Sequence, residues 1–101
     1  VSDDVQAAVA RLWQRSRPIV LQRVGALQDT ATALAAGRLD AEAVGAARSE
    51  AHKLVGSLGT FGVPRGSELA RCVEHELEAG GRDAARLADL TAQLRAVVEA
   101  A

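Results

Sequence analysis

The chain has no methionine and no tyrosine, one tryptophan, one phenylalanine, one cysteine and two prolines in 101 residues. Each shortage excludes something. So few aromatic and β-branched residues argue against a sheet. Two prolines leave room for long uninterrupted helices. A single cysteine, Cys72, forms no internal disulfide and fits a reducing compartment. No apolar run approaches the ~20 residues that cross a bilayer, and no signal-peptide pattern is present. A formal net charge of -1 lacks the basic excess of a nucleic-acid binder.

What remains is alanine, leucine, valine, arginine and glutamate, the composition of an all-α protein with a tightly packed aliphatic core. Its length suits one domain, residues 1–101. A start at Val1 without methionine is expected of a piece excised from a larger protein.

Ser2 and Asp3 suit an N-cap, and Val5, Ala8, Val9 and Leu12 follow at helical spacing. Trp13 borders this stripe and is expected to seal one end of the core. Pro18 interrupts the pattern, which predicts a short helix over 3–15 and a second over 17–36. Val20, Val24, Leu27, Ala31 and Leu34 form the second seam, and Gly37 ends it. Asp40 caps a third segment, 41–60, whose apolar residues Val44, Ala47, Ala51, Leu54, Leu58 and Phe61 recur without a miss. Gly62 and Pro64 separate it from a helix with Leu69, Val73 and Leu77 inward. Gly80-Gly81 is the next break. Asp83 then caps a last helix with Leu87, Leu90, Leu94 and Val97 inward. Short connections predict an antiparallel up-down four-helix bundle, with the short extra N-terminal helix covering one end.

One residue stands apart from this scaffold. At ~100° per residue, His52 lies about 135° from the centre of its helix's apolar stripe and faces water. Gly45, Gly56 and Gly59 share its neighbourhood with Arg48, Ser49 and the edge of Val55. Glycine costs a helix interior ~1 kcal/mol relative to alanine, so a glycine-lined face around an imidazole reads as a flat surface cleared for a partner. An exposed imidazole is partly neutral, and hence nucleophilic, near neutral pH. Arg48, one turn before it, is placed to steady an anion on the ring, and Lys53 reaches the patch from the side. Cys72, His75 and Glu76 have a spacing that could begin a metal site, but Cys72 is better read as a small packed hydrophobe and His75 as a surface residue.

The stretch Ala51-His52-Lys53-Leu54-Val55-Gly56-Ser57, continuing through Gly59-Thr60-Phe61-Gly62, resembles the signature of histidine-containing phosphotransfer (Hpt) domains of two-component phosphorelays. The family pattern is His-x-Leu-Lys-Gly-Ser followed by small residues and a glycine. Leu69, Cys72 and Val73 keep its spacing in the next helix. The resemblance implies a four-helix bundle in which His52 is the phosphoacceptor and Gly56 the small residue that admits a partner. It implies a response-regulator receiver domain as partner, a hybrid histidine kinase as a further candidate, and Mg²⁺ only in the receiver. It implies a monomeric, cytoplasmic phosphohistidine carrier, without nucleic-acid, membrane or ATP binding and without a cofactor of its own. The family lysine three residues after the histidine is Val55 here. Phosphate-steadying or docking roles therefore fall to Arg48, Lys53, Val55, Gly56 and Gly59. The loss of that lysine also leaves open an Hpt-fold interaction module that works without phosphorylation.

Overall fold

A computed structural model describes residues 2–101. It contains four helices: α1 (Ser2–Ala35), α2 (Ala41–Thr60), α3 (Pro64–Glu78) and α4 (Ala84–Ala100). Each packs on the next and α4 returns to α1, closing an antiparallel bundle. The α2–α3 and α1–α4 pairings are the most extensive, and α1 touches α2 more lightly.

Local chemistry sets the boundaries. The Asp40 carboxylate accepts from Ala43 N at 2.8 Å and that of Asp83 from Arg86 N at 3.0 Å, so both expected caps are made. Pro64 occupies the first turn of α3. The first three helices end alike. Gly37, Gly62 and Gly80 take positive φ, and paired amide bonds such as Gly62 N to Gly59 O and Val63 N to Leu58 O close the last turn.

The core is aliphatic. Val24, Leu27, Leu54, Leu58, Val73, Leu77, Leu87 and Leu94 are all fully buried, at 2% exposure or less. On α4 the seam closes with Val98, buried, while Val97 packs at its edge. Gly66 allows close approach of α3 to α2, since a Cβ there would lie 3.2 Å from both Leu58 Cδ1 and Val63 Cγ1.

The expected break at Pro18 does not occur. Residues 2–35 form one helix with Pro18 inside it, so the short extra helix is instead the first half of α1. Pro18 and Gln14, whose carbonyl loses its amide partner, both lie on the exposed side, where water can serve that carbonyl. Trp13 and Val20, on either side of the proline, are buried and hold the two halves to one core. Trp13 does seal the end of the bundle, its ring tilted 49° to that of Phe61 at a centroid distance of 5.4 Å. The residues before it run on along the helix rather than folding over that end. A helix of this length spans ~51 Å, which matches the long dimension of the molecule, 51 × 19 × 18 Å.

Candidate functional site

Ala51 and Leu54 face inward from α2 with no exposure, which turns His52 outward, its side chain 74% exposed. On α3 the buried Val73 does the same for its successor, Glu74. The two outward neighbours meet across the α2–α3 seam. His52 Nδ1 lies 2.7 Å from Glu74 Oε2, and the Glu74 side chain is only 15% exposed. An ionised carboxylate only accepts hydrogen bonds, so Nδ1 carries the proton. In the neutral ring, Nε2 then carries the lone pair. A single neighbour thereby sets which nitrogen of an exposed imidazole carries the lone pair.

Glu74 was not among the expected site residues. It is distant in sequence, and a projection of α2 alone cannot show which face of α3 lies beside it. The one available signal is positional: each residue directly follows an inward-facing one, Ala51 or Val73, which puts both at the edge of the seam.

The surface around His52 is not flat. Arg48, Ser49, His52 and Glu74 line a shallow concavity of about 280 Å³, with α3 supplying the wall that α2 lacks. Arg48 Nη1 lies 3.7 Å from Glu78 Oε1, a loose contact between half-exposed groups that holds the guanidinium weakly. Arg48 therefore shares the concavity with His52 and is free to reorient. Lys53 is exposed and does not line it. Val55 is half-buried against the core, and its carbonyl accepts a bond from Ser67 Oγ at 2.8 Å. The position where the family carries lysine here serves the α2–α3 interface.

The nine glycines differ in what requires them: Gly66 is set by packing, and a Cβ on Gly25, in α1, would meet nothing within 4 Å. Gly37, Gly62, Gly80 and Gly81 are needed for their positive φ. Gly45 and Gly56 are not, since both lie in regular helix and a Cβ added to either would meet nothing within 4 Å. A Cβ at Gly59 would make only an ordinary contact with Ser67 Oγ, at 3.8 Å. Nothing inside the molecule requires glycine at these three positions. The helix stability they give up has no internal return.

Cys72 is half-buried against the core and His75 is exposed. Glu76 Oε2 accepts from Arg86 Nε at 3.1 Å. Among the described residues no three side chains of metal-ligating type converge, and no helix is long and apolar enough to cross a membrane.

Comparison with known proteins decides the family. Residues 20–101 match the family described as Hpt domain. The chain belongs to the Hpt-domain family. Protein RcaC of Microchaete diplosiphon is 35% identical over 85 residues, a stretch that makes up 81% of this chain and 13% of RcaC. No solved structure matches at a comparable stringency. Membership places this Hpt domain in phosphorelay signal transduction, where such domains work with receiver domains and kinases.

Proposed function

We propose that His52 is the phosphoacceptor and that it relays a phosphoryl group between receiver domains. The observation that carries this reading is the Nδ1–Glu74 contact of 2.7 Å at an imidazole otherwise open to solvent. It leaves the Nε2 lone pair available to an incoming phosphorus.

The transfer balances without further reagents. The Nε2 lone pair attacks the phosphorus of a receiver's aspartyl phosphate. The bond from phosphorus to the aspartate oxygen breaks, and the aspartate leaves as a carboxylate. The ring keeps its Nδ1 proton and becomes a phosphorylated imidazolium, whose positive charge lies against the Glu74 carboxylate. In the onward step a second receiver's carboxylate attacks phosphorus, the Nε2–P bond breaks, and the electron pair returns to nitrogen. Mg²⁺ belongs to the receiver's half of the composite site. The phosphodonor in this reading is a phosphorylated receiver domain. Catalysis on this side consists of positioning.

Arg48 and the Ser49 hydroxyl line the concavity beside the ring and are the resident groups that steady the phosphoryl oxygens. Gly56 and Gly59 clear the approach of the receiver. The setting is cytoplasmic, where receiver domains are phosphorylated.

Incubation with a phosphorylated receiver domain tests the assignment. The wild-type chain acquires an acid-labile, alkali-stable label and His52→Gln acquires none while keeping its helical spectrum. Equal labelling of the two proteins overturns it, and a wild-type chain that takes up no label favours an interaction module.

A further inference from the structure

The first half of α1 carries an apolar stripe that the bundle does not cover. Val5, Leu12 and Ile19 are the large hydrophobic residues left exposed among those described, at 59%, 52% and 54%. They stand seven residues apart on a helix that Pro18 does not break. On an α-helix that interval drifts by only ~20°, so the three side chains form one straight strip. Val9 and Ser16 widen it toward the buried face that holds Trp13 and Val20. The strip lies almost wholly before residue 20, where the match to the Hpt family begins. It therefore serves something other than the family's common bundle.

The charges beside the strip indicate what covers it. At ~100° per residue, Asp4, Arg11 and Arg15 all fall on one flank, while Asp3 points away. The flank is acidic at its start and basic further on. Two parallel copies would set this flank against the mate's other flank, which carries Val9, Ser16 and Trp13 and no charge. Two antiparallel copies set Asp4 of each against Arg11 and Arg15 of the other. In that register Val5 of one copy packs on Leu12 of its mate, Ala8 and Val9 lie near the two-fold axis, and Ile19, with no described residue of the mate opposite it, stays outside the contact. We infer that residues 4–15 of α1 are a self-association surface, on which a second copy of this chain docks as an antiparallel helix pair.

The contact is short. A strip of about 12 helical residues is ~18 Å long, and it offers less than the ~800 Å² per partner of a standard interface. The dimer is therefore concentration-dependent, with a monomeric bundle at low concentration. Pairing uses α1, whereas the phosphoryl chemistry belongs to α2 and α3, so the two proposals fail independently.

Sedimentation equilibrium of the 1–101 chain at low salt, from ~10 μM to ~1 mM, spans the range expected for so small an interface. The apparent mass rises from 10.5 kDa toward twice that value. Leu12→Gln weakens the dimer at least about tenfold by placing an amide in the strip, with an unchanged far-UV spectrum. Asp4→Arg alone, or Arg11→Glu with Arg15→Glu, weakens it about three- to tenfold. The three charge reversals together restore the wild-type constant. A wild-type chain that stays at 10.5 kDa throughout overturns the proposal. So does a dimer indifferent to Leu12→Gln, or one that the combined reversal does not rescue.

Discussion

Glu74 accepts a hydrogen bond from His52 Nδ1 at 2.7 Å, joining α3 to α2 at an imidazole otherwise surrounded by water. The carboxylate is mostly buried and the ring mostly exposed, so the fixed member of the pair orients the mobile one. Removing it frees the ring to adopt either tautomer and removes the charge that balances a phosphorylated imidazolium. Glu74→Gln is expected to slow phosphoryl uptake on the order of 10- to 100-fold, by analogy with loss of the orienting partner of a metal-bound histidine. The check is the uptake rate together with the ¹⁵N shifts of the ring, in which the Nε2–H tautomer must grow in the variant.

Gly56 separates docking from folding. Because a Cβ there meets nothing, Gly56→Ala should raise the stability of the domain by about 0.5–1 kcal/mol. Gly56→Leu should leave the fold intact and block exchange with a receiver by sterics alone. Thermal denaturation and phosphotransfer rates on the same two proteins test this, and a Gly56→Leu chain that exchanges at the wild-type rate shows the docking face to be elsewhere. Gly66 should behave in the opposite way. Its Cβ would press on Leu58 and Val63 at 3.2 Å, so Gly66→Ala is expected to destabilise the bundle by about 1–3 kcal/mol.

Arg48 and Lys53 flank His52 in sequence but differ in place. Arg48 lines the concavity beside the ring and Lys53 does not. Arg48→Ala should shorten the lifetime of the phosphorylated domain a few-fold, while Lys53→Ala leaves it unchanged. Decay of isolated phosphorylated protein, followed by label loss, distinguishes the two.

Asp40 caps α2, the helix that carries His52, through one bond of 2.8 Å to Ala43 N. Asp40→Ala is expected to cost about 1 kcal/mol of stability in a denaturant titration. The cap lies three turns from His52, so the uptake rate of the folded variant should not change.

Much of this organisation is legible in the sequence, for identifiable reasons. Asp40, Asp83, Pro64 and the paired-bond glycines act within a few residues of themselves, so the boundaries of α2, α3 and α4 follow from local chemistry. The outward turn of His52 follows from the unbroken stripe opposite it. Pro18 misleads because the cost of a proline depends on what surrounds the freed carbonyl, and buried Trp13 and Val20 hold both halves of the continuous helix to one core. Glu74 and the concavity depend on the register of α3 against α2, which no single-helix projection contains. Val55 stands out as a departure from the family pattern, but its place in the α2–α3 interface becomes visible only with Ser67 beside it.

In the proposed relay His52 carries phosphate on Nε2 while Nδ1 keeps its proton against Glu74. Phosphorus–nitrogen coupling in ¹⁵N-labelled, phosphorylated protein measures this directly. The expected spectrum couples ³¹P to Nε2 of His52, with Nδ1 protonated. Coupling to Nδ1, or phosphate found on any residue other than His52, would contradict it.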